Sequence, residues 1–154
     1  MIKKYMLKAL KESNITLKTN INNKLNNWEK CENDYLVFKA ETETIHWLID
    51  CIERIDKKNI KNEDLKIFSA FKFINNALKH NETLTHLDIV KGFVTFPLTF
   101  PFPNTMIYQW IDLSYLKNVK NISQQKNYDE LLKEKDVLKT LDDAIERVEK
   151  YIEK

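Results

Sequence analysis

The chain has 154 residues, 43% apolar and 31% charged, which is the size and balance of one globular domain with a sizeable core. Gly occurs once and Pro three times, so a β-sandwich, a barrel or a Gly-rich phosphate loop is excluded. The formal net charge of +2 is too small to signal nucleic-acid binding by itself.

Basic residues are lysine almost throughout: of 25, only Arg54 and Arg147 are arginine. Cys31 and Cys51, with no Cys/His cluster around them, read as reduced, partly buried thiols, and no metal or cofactor is expected. Lys8 and Lys11 interrupt any signal-peptide core, and no apolar run approaches the ~18 residues of a membrane span. The sequence therefore reads as a cytoplasmic protein with no membrane partner.

Gly92, Pro97, Pro101 and Pro103 stand together, and neither residue type occurs before or after them. The expected fold is mainly α. It is an up-and-down bundle of four to five helices, one domain over 1–154, with one β-hairpin or extended Pro/Phe-rich insert at about 86–115. The first apolar series is Ile2, Met6, Leu10, Ser13, Leu17, Ile21, Leu25 and Trp28. It fits one long helix, or two with a break in the Asn/Thr-rich stretch from Ser13 to Asn27. A second helix, about 34–56, places Val37, Thr44, Ile45, Leu48, Ile52 and Ile55 on one face, and Glu41 on that same face. A carboxylate there is either exposed at a bundle end or paired.

The third helix, about 63–80, starts at a plausible N-cap, Asn62, and is closed by Asn81. Its apolar stripe is Ile67, Phe68, Phe71, Ile74 and Leu78, with Asn75 on it. Asn76 and His80 lie on the other side with Ser69 and Phe73. Then Val94, Phe96, Leu98, Phe100 and Phe102 alternate with Thr and Pro, which predicts an edge strand. A turn at 103–105 and the alternating run from Met106 to Ile111 complete a hairpin of about 93–112. The last helix is predicted at about 128–153, with Leu131, Leu138, Ile145 and Ile152 repeating every seven.

Residues 71–81 read Phe-Lys-Phe-Ile-Asn-Asn-Ala-Leu-Lys-His-Asn. This segment resembles the signature of the HEPN superfamily, helical-bundle domains common in toxin and antiviral ribonucleases: an Arg, a polar residue, and a His four to six residues after the Arg. Asn76 matches the polar position and His80 the histidine. The Arg position is Asn75. The order of helices before and after the segment is similar too.

The resemblance implies metal-independent RNA cleavage across a homodimer. His80 would move the proton of the 2′-hydroxyl, and Asn76 would orient it or the phosphate. Asn75 brings no cation for the charge growing on phosphorus, so Lys72 or Lys79 would have to replace the arginine fork. Asn75 is also within reach of Glu41, and a buried hydrogen bond between them is one expectation.

Three functions follow. The first is a ribonuclease of a toxin or antiviral defence system. The second is a catalytically inactive HEPN-like protein that binds RNA, or regulates a cognate antitoxin or defence protein (antitoxin-like or a phage-encoded inhibitor). The third is a structural helical interaction module. Plain readings stand beside them. His80 complements a helix end, His46 lies on a solvated face, and His86 makes an ordinary hydrogen bond. Two lysine stripes, Lys4/Lys8/Lys11 and Lys57/Lys58/Lys61, are solvated, and the aromatic insert packs.

Overall fold

The computed structural model describes residues 2–26, 31–81, 85–91, 104–117 and 122–153. Five α-helices and two strands follow in the order α1 (Ile2–Asn26), α2 (Cys31–Glu53), α3 (Asn62–Ala77), β1 (Thr85–Lys91), β2 (Asn104–Trp110), α4 (Ile122–Leu131) and α5 (Val137–Ile152). The fold is a mainly-α helical bundle with one antiparallel hairpin.

α1 runs unbroken through its poor helix formers because their polar groups find partners. Ser13 Oγ donates to the Leu10 carbonyl at 2.9 Å, and Thr16 and Thr19 donate to carbonyls one turn back. Asn14 Nδ2 reaches across to Asp142 Oδ1 on α5 at 2.8 Å. Lys18 also pairs with Asp142, and Lys11 with Glu149. Residue numbers rise along α1 as they fall along α5, so the two helices are antiparallel. Of the two expected lysine stripes, the first is partly consumed by these ion pairs, since Lys8 also faces Glu12 at 3.8 Å.

Leu10, Leu17, Ile45, Leu48, Phe71, Ile74, Leu141 and Val148 form the middle of the core. Cys51 is buried with them, and burial together with the nearby Asp50 charge pushes its thiol up to about 11 despite Arg54. Among the described residues no helix is long and apolar enough to cross a membrane.

Five sequence expectations are corrected. The N-cap of α3 is Lys61, with Asn62 already inside the helix; Lys61 makes no side-chain cap bond, and its backbone N–H donates to Tyr151 Oη at 3.1 Å. The hairpin lies further upstream than 93–112: β1 is Thr85–Lys91, paired with β2 from Thr85–Trp110 to Lys91–Asn104. Every residue of β1 carries an N–H for the ladder, which the prolines of the later run lack. Asn104 and Thr105, expected in a turn, are ladder residues of β2. The alternating Val94–Phe102 run itself lies outside the described residues.

The single final helix of about 128–153 is two helices. The chain breaks after Leu131, where Glu134 takes φ 58° and Asp136 caps α5 by accepting from the Lys139 N–H at 2.8 Å. Trp110 holds the break open. Its N–H donates to the Lys135 carbonyl at 3.2 Å and its carbonyl accepts from Glu134 N–H at 2.9 Å. Of the expected heptad series, Leu138, Ile145 and Ile152 lie on α5 and Leu131 on α4.

The last correction concerns α3. Phe73, expected on the outer side, is buried against Tyr128 of α4, with ring centroids 4.9 Å apart. α3 is thus covered on two sides, by α2 and by α4.

Candidate functional site

The 71–81 segment forms the last two turns of α3 and the turn that leaves it. His80 N–H donates to the Ala77 carbonyl at 3.0 Å, and Asn81 Nδ2 donates to the same carbonyl at 2.8 Å. Asn81 closes the helix as expected. It also clamps residue 117, accepting from the Lys117 N–H at 2.9 Å.

Ser69, Phe73 and Asn76 follow one another along a helix face at spacings of four and three. α4 covers this line. Asn127 Nδ2 donates to Ser69 Oγ at 3.0 Å, Tyr128 stacks on Phe73, and Asn76 Nδ2 donates to Gln124 Oε1 at 3.4 Å. The face expected to carry chemistry is therefore largely a helix–helix contact. Only its end is open, where Asn76, Lys79 and His80 are exposed. No side-chain hydrogen bond orients the His80 ring among the described residues, and none joins it to Asn76.

Asn75 is half-buried, and its Oδ1 is buried without a hydrogen-bond partner. Glu41 is 2% exposed. Its Oε2 accepts from Thr85 Oγ1 at 3.0 Å, which ties α2 to β1, and its Oε1 has no partner. The expected Asn75–Glu41 hydrogen bond is therefore absent. Burial outweighs the Thr85 bond and pushes the Glu41 carboxyl up from 4.5 to about 7. Its charge in turn helps raise the two neighbouring phenols, Tyr108 (to about 12) and Tyr128, both already raised chiefly by burial. Tyr128 Oη is satisfied by the Ile111 carbonyl at 2.5 Å.

The cations are distributed as follows. Lys72 is half-buried, with Nζ 4.0 Å from Glu53 Oε1. Lys79 is exposed. Arg147 on α5 forks between Asp64 and Asp143, and Tyr151 Oη donates to the same Asp64 at 2.5 Å. Burial alone would raise Asp64; the bonds from Tyr151 and Arg147 and the charges of Arg147 and Lys61 outweigh it and hold the carboxyl below its usual range.

Asp64 is in the first turn of α3 and His80 lies beyond its last, so Arg147 stands roughly 20 Å from His80 at 1.5 Å per residue. Arg54 follows the end of α2, beside Ile2, Lys3, Lys4 and Ile152; its neighbour Glu53 faces Lys72 of α3. Among the described residues neither guanidinium makes an ion pair with residues 71–81.

His46 is exposed on α2. The side chain of His86 lies outside the described residues. Among the described residues no three His, Cys, Asp or Glu side chains cluster as a metal site. Compared with protein-family profiles, curated proteins and solved structures, the chain matches none. The likeness to HEPN domains thus rests on residues 71–81 and the order of helices.

What the arrangement offers at His80 is an exposed imidazole beside a lysine and an amide, with no fork to hold a phosphate. Sequence reasoning passed over the Arg54 cleft. The available signal was the rarity of arginine in a lysine-rich chain.

Proposed function

We propose that this chain is a catalytically inactive HEPN-like module, a regulator that engages a protein partner and does not cleave RNA. One observation carries the reading: among the described residues neither arginine bonds to the 71–81 segment, Arg147 being held by Asp64 and Asp143 and Arg54 lining a cleft with Ile2, Lys3, Lys4 and Ile152. A phosphoryl transition state needs preorganised positive charge, and loss of one such donor costs on the order of a hundredfold in rate or more. In the homodimer that the resemblance implies, each copy would present the same Arg-free segment, so pairing would not restore the charge. The use of Ser69, Phe73 and Asn76 as the seat of α4 supports the same reading. The partner class is a toxin or defence protein, and the compartment the cytoplasm.

The test uses the purified chain and its His80→Ala variant with a mixed RNA pool, in buffer with and without chelator. The pool should stay intact with both, and any effect of expressing the chain in cells should be the same for both. RNA cleavage that disappears in His80→Ala would overturn the proposal in favour of the ribonuclease, with Lys79 as the substitute cation.

A further inference from the structure

A chain that writes nearly every basic position as lysine uses arginine only twice. Arg147 explains itself, because its planar fork spans two carboxylates where a lysine would be a point charge. Arg54 has no such explanation among the described residues. It is exposed in the turn after α2 and makes no ion pair with any described residue.

Arg54 lines an open cleft of about 670 Å³ together with Lys3, Lys4, Ile2 and Ile152, where α1 begins and α2 and α5 end. Among the described residues no acidic side chain lines it. Three cations thus line it around two isoleucines with no acidic side chain among the described residues, and Ile2 is 66% exposed. Tyr5, one turn further along α1, is 65% exposed.

We infer that this cleft receives an acidic segment of the partner protein, with carboxylates on Arg54, Lys3 and Lys4 and one apolar side chain between Ile2 and Ile152. Charge complementarity sets the sign of the occupant, and the Arg54 fork suits bidentate capture of a carboxylate. The isoleucines decide between a peptide and a nucleic acid. Single-stranded RNA is gripped by cations interleaved with aromatic platforms on which bases stack, and the lining here is aliphatic. An apolar anchor flanked by charges is instead the usual composition of a protein docking site. This inference rests on the reading of the chain as a protein-binding module, but it is read at residues outside 71–81 and in a different assay from RNA cleavage.

The experiment is fluorescence anisotropy of the intact chain with three labelled probes at fixed, near-physiological salt. The first is a heptapeptide alternating Glu/Asp with Leu. The second is the same peptide with Ser for Leu. The third is a single-stranded RNA of similar charge. The Leu peptide should bind saturably and the other two much more weakly. Arg54→Gln should weaken it about tenfold or more, as loss of a charged hydrogen-bonding anchor does. Ile2→Ser should weaken it while leaving the weak Ser-peptide binding alone. Lys126→Gln, at an exposed position of α4, should change nothing.

RNA binding tighter than the Leu peptide would overturn the inference, as would the absence of saturable peptide binding. So would an Arg54→Gln or Ile2→Ser variant indistinguishable from wild type, or an equal loss in Lys126→Gln. Arg54 and Ile2 are both exposed, and an unchanged far-UV spectrum establishes that each variant is folded.

Discussion

Replacing Glu41 by Gln should change how stability depends on pH. The carboxyl is buried in the core, takes one hydrogen bond from Thr85, and is pushed from 4.5 to about 7. Below about pH 4.5 folded and unfolded chains both hold the proton, and burial of the neutral acid carries no charge penalty. Between 4.5 and 7 the folded chain keeps a proton that the unfolded chain releases, so stability falls as pH rises. Above 7 the loss is complete. At 1.36 kcal/mol per pH unit, the whole drop is about 3 kcal/mol, a large share of a small domain's stability.

Glutamine keeps an acceptor for Thr85 Oγ1 and has no proton to lose. Urea unfolding followed by far-UV circular dichroism, at pH 4 to 8, measures the effect. The advantage of Glu41→Gln over wild type should grow by about 3 kcal/mol from the acid to the alkaline end. Two parallel stability curves would refute the reasoning, because they would mean that Glu41 does not hold its proton preferentially in the folded chain.

Two further outcomes follow from the packing. Trp110 is fully buried, meets Phe71 edge-on with centroids 6.0 Å apart and donates from Nε1 to Thr140 Oγ1 at 2.8 Å. Trp110→Ala should therefore cost about 3–5 kcal/mol in urea unfolding, and Trp110→Phe, which mainly removes the indole N–H, about 1–2 kcal/mol. Arg147→Leu leaves the Asp64 carboxylate without its cation and should cost about 2 kcal/mol at pH 7. Because Asp64 is held below its usual value, its contribution is present above about pH 4 and fades as pH falls further. The penalty of Arg147→Leu should shrink with it, as thermal melts at pH 7 and pH 3 will measure.

Much of the bundle was legible because helix periodicity is a local signal. Leu10, Leu17 and Ile21 on α1, and Ile45, Leu48 and Ile52 on α2, are buried where their spacing places them. Errors fell where a distant residue decides the outcome. The chain breaks at Glu134 because Trp110, more than twenty positions upstream, bonds Glu134 and Lys135, and no periodicity within 128–153 contains that. Phe73 reads as outward in the sequence because the helix that covers it, α4, lies in the polar run Ile122–Leu131.

At the motif, Asn76 and His80 are where a helical wheel puts them. What the wheel cannot display is that α4 occupies the rest of that face. Asn75 and Glu41 share the interior side of their helices as expected, yet Thr85 on β1 takes the Glu41 hydrogen bond. That partner is forty-four residues away in sequence.

Cys51 brings one last consequence. Its sulfur is sealed from solvent and kept protonated well beyond physiological pH, and only a thiolate attacks an electrophile or a disulfide. Alkylating or oxidising conditions that mark surface thiols therefore pass over Cys51 in the resting fold and modify it only in molecules that have opened.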